Sequence, residues 1–209
     1  MMDFRRFLVG VLLGAAVVLT GCSGGRRPSK DAVYLPSQIG GGSVPGNSQS
    51  AANLDIDSFW DGDGVQGAPH IIIDLSDQMA YFYKGNQKVG VSRISSGQQD
   101  IFDTPVGEFK IIQKDKNHKS SLYGNYVYAD GTIAKKDIDV TKDKKPPGTR
   151  FDGSDMPHFM RFTNGVGLHA GFLPGFRVPA SHGCVRMPER MAKIYFENVQ
   201  VGTPVTVRR

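Results

Sequence analysis

Cys184 stands in the run Pro179-Ala180-Ser181-His182-Gly183-Cys184-Val185-Arg186-Met187-Pro188, where the residue types that do covalent chemistry gather. A cysteine attacks a carbonyl carbon as thiolate, and an ordinary thiol with pKa near ~8.5 needs a base or cation nearby to reach that form. His182 lies two residues before it and His169 further upstream, so each is a candidate for that partner. Gly183 removes a side chain beside the sulfur, and the backbone amides on either side can face the oxyanion formed on attack. Nucleophile, base and amide donors together describe acyl transfer through a thioester. A rival reading takes His169, His182 and Cys184 as zinc donors. The paired Cys-x-x-Cys or His-x-x-x-His spacings of familiar zinc sites are absent, so neither a metal nor another cofactor is expected.

Ser181-His182-Gly183-Cys184-Val185-Arg186, with Leu168-His169-Ala170-Gly171 upstream, resembles the signature of the YkuD-type L,D-transpeptidases. Thr104-Pro105-Val106-Gly107-Glu108-Phe109 matches that family's Thr-Pro-x-Gly-x-Phe element, which supports the sheet under the active site. The resemblance implies that Cys184 is the nucleophile and His169 its base, oriented by a backbone carbonyl that falls to Ala170. His182 supports the sulfur by a hydrogen bond, gives only its backbone amide, or packs, and the first is the role expected of it; Ser181 holds the loop, and Gly183 serves the oxyanion or the loop. Arg186, where several relatives carry Asn, either binds a substrate carboxylate or braces the loop through an ion pair. The implied reaction is attack on the amide after the third residue of a peptidoglycan stem tetrapeptide, with loss of the terminal D-amino acid. An amine of another stem, another amine or water then resolves the thioester, and the acceptor stays open. A non-catalytic, lipid-anchored protein that binds stem peptides in the same cleft is the alternative from another class. The resemblance also implies that carbapenems acylate the thiol. A thiol and imidazole acting as a unit should fail in acid, with the pair's lower pKa below that of a free thiol.

The elements that must position these residues are strands. Residues 70–75 form a continuous apolar run, 79–83 read as its hairpin partner, and 88–94 alternate as a half-buried strand does, giving a three-stranded meander. Residues 110–112 continue the Thr-Pro-x-Gly-x-Phe element as a strand. Residues 156–162 predict a strand that turns at Thr163-Asn164-Gly165 into 166–169, so that His169 ends a buried strand, and 204–207 predict the last one. Between them, 113–155 mix tyrosines with a Lys/Asp run and read as a loop-rich insertion over the cleft. Pro188 suits a first helical position, and Met187, Met191, Ile194 and Tyr195 repeat with helical period, which predicts one short helix directly after Cys184. The expected fold is mainly β, a β-sandwich-like L,D-transpeptidase domain over 68–209. His158, next to Phe159 in a strand, is expected to pack or lie at the surface.

The chain has 209 residues, 39% of them hydrophobic, enough for one domain with a sizeable core and a tail. Its formal charge of +5 favours acidic partners, and stem peptides with free carboxylates are among these. Nucleic acid is not expected, because the basic residues are mixed with acids and form no stripe interleaved with stacking aromatics. Arg5 and Arg6 precede an apolar run over 7–19 that ends in Leu19-Thr20-Gly21-Cys22, the pattern of a signal peptide over 1–21 and too short to span a bilayer. Leu-Thr-Gly-Cys resembles the bacterial lipobox, which implies lipid on Cys22, and Ser23 after it points to the outer membrane where the cell has one. With Cys22 acylated, Cys184 has no disulfide partner in an exported, oxidising compartment. Residues 22–67 are rich in Gly, Ser, Pro, Asn and Gln, as a flexible linker is. Within them 54–60 is either a short piece docked through Trp60 or exposed linker.

Overall fold

The computed structural model describes residues 57–209. The expected signal peptide, the lipidated Cys22 and the linker as far as residue 56 lie outside them. Eleven strands and one helix follow in chain order: β1 (Phe59–Trp60), β2 (Pro69–Asp74), β3 (Met79–Lys84), β4 (Gln87–Arg93), β5 (Gly107–Lys110), β6 (Gln113–Val127), β7 (Ile133–Asp139), β8 (Arg150–Thr163), β9 (Val166–Ala170), β10 (Val185–Met187), α1 (Glu189–Asn198) and β11 (Pro204–Arg208). They build a six-stranded sheet in the order β1-β4-β3-β2-β11-β5 and a five-stranded sheet in the order β10-β9-β8-β6-β7.

Alternation explains which faces meet. On β2 and β3, Ile71, Ile73, Ala80 and Phe82 point inward and are fully buried; on β8, β9 and β10, Met160, Phe162, Leu168, Val185 and Met187 do the same from the second sheet. Met191, Ala192 and Tyr195 of α1 join this core, and the Tyr195 hydroxyl donates to the Ala80 carbonyl at 2.8 Å, so its one polar atom is satisfied where it is buried. The predicted meander is β2-β3-β4. Its first turn is closed by Asp74, whose Oδ1 accepts the amides of Ser76 and Asp77 while Oδ2 takes Arg208 Nε at 3.0 Å.

Four sequence expectations differ from the structure. Residues 113–155 are not loop-rich: β6, β7 and the start of β8 form a long antiparallel hairpin and its neighbour. Their polar sequence hid this, because charges take the place of apolar alternation, as where Lys119 Nζ meets Asp152 Oδ1 at 3.1 Å and Asp155 Oδ1 at 3.3 Å across the ladder. The helix does not follow Cys184 directly. β10 intervenes, and Pro188 is the N-cap residue before Glu189 rather than the first helical one. The strand expected over 110–112 ends at Lys110, after which the Ile111 amide turns to the Thr203 carbonyl. Finally, residues 57–67, assigned to the linker, include β1, which pairs with β4. Trp60 is docked: its ring meets Phe82 edge-on at 5.2 Å, and its Nε1 donates to Asp63 at 2.8 Å. Such an aromatic pair is worth about 1 kcal/mol beyond its buried area.

Candidate active site

Strand register assembles the site on the outer face of the second sheet. Gln113 of β6 lies opposite Arg161 of β8, and Arg161 opposite Gly167 of β9. Asp115 lies opposite Phe159, and His169 opposite Arg186 of β10. Directly opposed residues share a face, as do residues two apart on one strand. Two rows therefore run across the face, Gln113–Arg161–Gly167 and Asp115–Phe159–His169–Arg186. Cys184, two residues before Arg186, continues the first row beside Gly167, and the Gly167 amide hydrogen-bonds its sulfur. The S–H donates to the Gly165 carbonyl at 3.6 Å. Diagonal neighbours of this kind stand roughly 7–8 Å apart at the backbone, within reach of a long or aromatic side chain, and this is the relation of His169 to Cys184.

His169 is buried, and its Nδ1 donates to the Ala170 carbonyl at 2.7 Å, the orienting role that falls to Ala170. That bond fixes the tautomer with Nε2 unprotonated, the form a base must have. Burial lowers its pKa to about 4, with the Arg186 charge pushing the same way against the Ala170 carbonyl. Phe159, fully buried beneath the imidazole at 6.2 Å between ring centres, supplies the apolar wall, and His118 stacks on its ring at 4.3 Å. Cys184 is half-buried, and burial pushes its thiol up, against the Gly167 amide and the charges of Arg161 and Arg186. The resting site is thus a neutral thiol beside a neutral imidazole. The pair's lower pKa is then the imidazole's, and its cause is desolvation in place of a cation favouring the thiolate: both groups are shielded from water, which disfavours each charged form.

The loop around Cys184 is tied from several sides. The Ser181 hydroxyl donates to the Cys184 carbonyl and accepts the Gly183 amide at 3.1 Å. Gly183 adopts φ +110°, which only glycine takes without strain, and its carbonyl accepts the Thr104 hydroxyl at 2.8 Å. Thr104 in turn accepts the Gly97 amide at 2.9 Å. The end of the meander completes the frame: the Ser96 carbonyl accepts the amides of Ala180 and Ser181, while Gln78 holds the Ser96 amide and hydroxyl. Because Ser181 takes the Gly183 amide, Gly183 serves the loop rather than the oxyanion. Among the described residues no carbonyl takes the Cys184 amide, which leaves it open to an oxyanion on a carbonyl held at the sulfur.

His182 is placed differently from its expected role. Its exposed ring stacks on Tyr123 at 4.3 Å and meets Phe102 edge-on at 4.4 Å, with no hydrogen bond to the sulfur. Partial burial and then the Arg186 charge lower its pKa. The zinc reading needs His182 beside His169 and Cys184, and among the described residues no three His, Cys, Asp or Glu side chains gather to hold a metal ion. Arg186 lies across Gly171 and is half-buried; among the described residues no carboxylate pairs with it. Burial lowers its pKa. His158 faces away, buried against Phe196 of α1 at 5.6 Å. Sequence reasoning passed over Arg161, Phe159, Tyr123 and Phe102. Arg161 and Phe159 had a signal: they alternate outward on the strand whose turn leads to His169.

A neutral thiol, an imidazole with one free nitrogen and an unengaged amide on the face of a β-sandwich are the parts that acyl transfer through a thiol requires. A family model described as the L,D-transpeptidase catalytic domain, YkuD, matches residues 68–207, and the chain belongs to that family. An L,D-transpeptidase from Mycobacterium smegmatis shares 20% identity, covering 68% of this chain and 59% of its own, with a TM-score of 0.51. An L,D-transpeptidase in complex with imipenem shares 17% over the same fractions, also with a TM-score of 0.51. These likenesses concern the fold, and the chain spans 59% of the length of each relative. No curated protein sequence matches the chain.

Proposed function

We propose that this chain is a peptidoglycan L,D-transpeptidase that works through a Cys184 thioester. The observation that carries the reading is the pair of adjacent rows, which brings Cys184 and the Ala170-oriented His169 to one face of the sheet. As Sγ closes on the amide carbonyl after the third residue of a stem tetrapeptide, Nε2 of His169 takes its proton and later returns it to the departing amine of the terminal D-residue. The Cys184 amide faces the developing oxyanion, and Arg186 holds a stem carboxylate. His182 acts through its stack with Tyr123, as a support of the loop. An incoming amine then attacks the thioester and restores the thiol; a stem amine gives a crosslink between third residues, and water gives carboxypeptidase activity.

The test is incubation of the purified chain with disaccharide tetrapeptides and analysis of the products. Release of terminal D-alanine that vanishes in Cys184→Ala supports the reading; binding without release would replace it with a wall-binding module. We further propose that the chain is exported and held to a membrane by lipid on Cys22, facing the periplasm from the outer membrane where the cell has one. The charged and apolar N-terminal run before Leu19-Thr20-Gly21-Cys22 supports this. Labelling cells with a fatty acid should mark the chain and leave Cys22→Ser unmarked, and label retained in Cys22→Ser would refute it.

A further inference from the structure

Arg161 occupies the same cross-strand row as Cys184, with Gly167 between them. Glycine there leaves no side chain in the way: a β-carbon on Gly167 would stand 2.7 Å from the Phe159 ring and 2.9 Å from Arg161 Cα. At the turn, Arg161 Nη1 lies 3.9 Å from where a β-carbon on Gly165 would be, and the Gly165 carbonyl is the one that accepts the Cys184 S–H. The guanidinium is held in place on two sides. Its Nε donates to Gln113 Oε1 at 2.8 Å, and its Cζ lies over the Phe159 ring, 5.0 Å from the ring centre. Gln113 is neutral, and among the described residues no carboxylate pairs with Arg161. A fixed cation with open donors therefore borders the thiol. Its charge is also felt at the sulfur, where it opposes the upward push of burial.

Resting on the function proposed above, we infer that Arg161 is a specificity-determining residue that reads the terminal carboxylate of the donor stem. The leaving group of a tetrapeptide is a single residue, so its carboxylate falls within ~3.6 Å along the chain of the scissile bond. That keeps it close to Cys184, within reach of the long side chain of Arg161 in the same row, whereas Arg186 sits in the His169 row and is left for the stem's other carboxylates. A guanidinium fork grips a carboxylate by charge-assisted hydrogen bonds, and a carboxamide or a further peptide bond at the same place cannot answer it with charge.

The experiment compares kcat/KM for two disaccharide tetrapeptide donors, one ending in D-alanine and one in D-alaninamide, with wild type, Arg161→Gln and Arg161→Lys. Wild type should favour the acid, and the acid-over-amide ratio should fall about 10–100-fold in Arg161→Gln, the loss of a hydrogen bond to a charged group. Arg161→Lys should keep part of the preference. Because the ratio compares donors on the same folded protein, partial unfolding of a variant cancels. An equal rate on both donors in wild type, or a ratio unmoved by Arg161→Gln, overturns the assignment of Arg161 while leaving the function intact. Release from neither donor overturns the function, and the assignment with it.

Discussion

His169 titrates near 6.5 as an ordinary imidazole and at about 4 in the folded chain, and the difference makes stability depend on pH in a fixed direction. The unfolded chain binds the proton more readily, so acid favours unfolding. Stability is fully present above 6.5 and is lost as pH falls through the window down to about 4. Each tenfold in proton affinity is worth about 1.4 kcal/mol, which sets the whole effect at about 3 kcal/mol and the part lost between pH 7 and 4.5 at about 2 kcal/mol. His169→Asn keeps an amide donor for the Ala170 carbonyl and removes the titration. Urea denaturation of both proteins at the two pH values measures it, every other titratable group being common to both. Wild type should lose about 2 kcal/mol more than His169→Asn. Equal losses would mean that the imidazole is not held neutral by burial, and the account of the resting site would fall.

Four further outcomes follow from the same geometry. Single-turnover acylation of Cys184 by a carbapenem, read by intact mass, should hold its rate from neutral pH down to about 5 and fail near the His169 pKa of about 4, while an acid limb near 6.5 would contradict it. In the same assay His169→Ala should slow acylation roughly 100- to 10,000-fold and His182→Ala less, and the reverse order would reassign the base. Thr104→Val removes a hydroxyl that both accepts the Gly97 amide and donates to the Gly183 carbonyl. It should cost about 1–3 kcal/mol by urea denaturation and slow acylation, and a neutral result would deny that Thr104 holds the loop. Gly183→Ala, forced to φ +110°, should cost about 1–3 kcal/mol in the same measurement, and wild-type stability would show that the loop does not require that conformation.

Where the sequence obeyed a simple period, its reading met the structure. The apolar run over 70–75 and the alternation around Phe82 mark strands because one face of each lies in the core. Cys184 and His169 stood out because few residue types serve as nucleophile and base. β6 escaped because its outer face lines the site and carries His118 and Asp115, while Lys119 on the same strand pairs with acids of β8, so neither apolar period was visible. β10 escaped because three residues are too few to show alternation, and fourteen residues lie between it and its partner β9. Arg161 was hidden for a different cause. Its outward alternation was visible in the strand leading to His169, but its place beside Gly167 comes from cross-strand register, which the local sequence does not record.

The two cross-strand rows make the reactive pair a property of hydrogen-bond ladders instead of flexible loops. Sliding β10 by one residue against β9 would carry Arg186 and the cysteine before it to the core face, and no side-chain rotation could bring the sulfur back. On the proposed function, a mispaired chain would hold its thiol away from His169, so that assembly of the sheet comes before any reaction at the sulfur. In the connection between β9 and β10, Phe172 and Phe176 are exposed ahead of the tied loop from Ala180, and a change of length there leaves the paired residues of the ladder as they are, whereas a single residue inserted between Gly167 and His169 would put the two on opposite faces of β9.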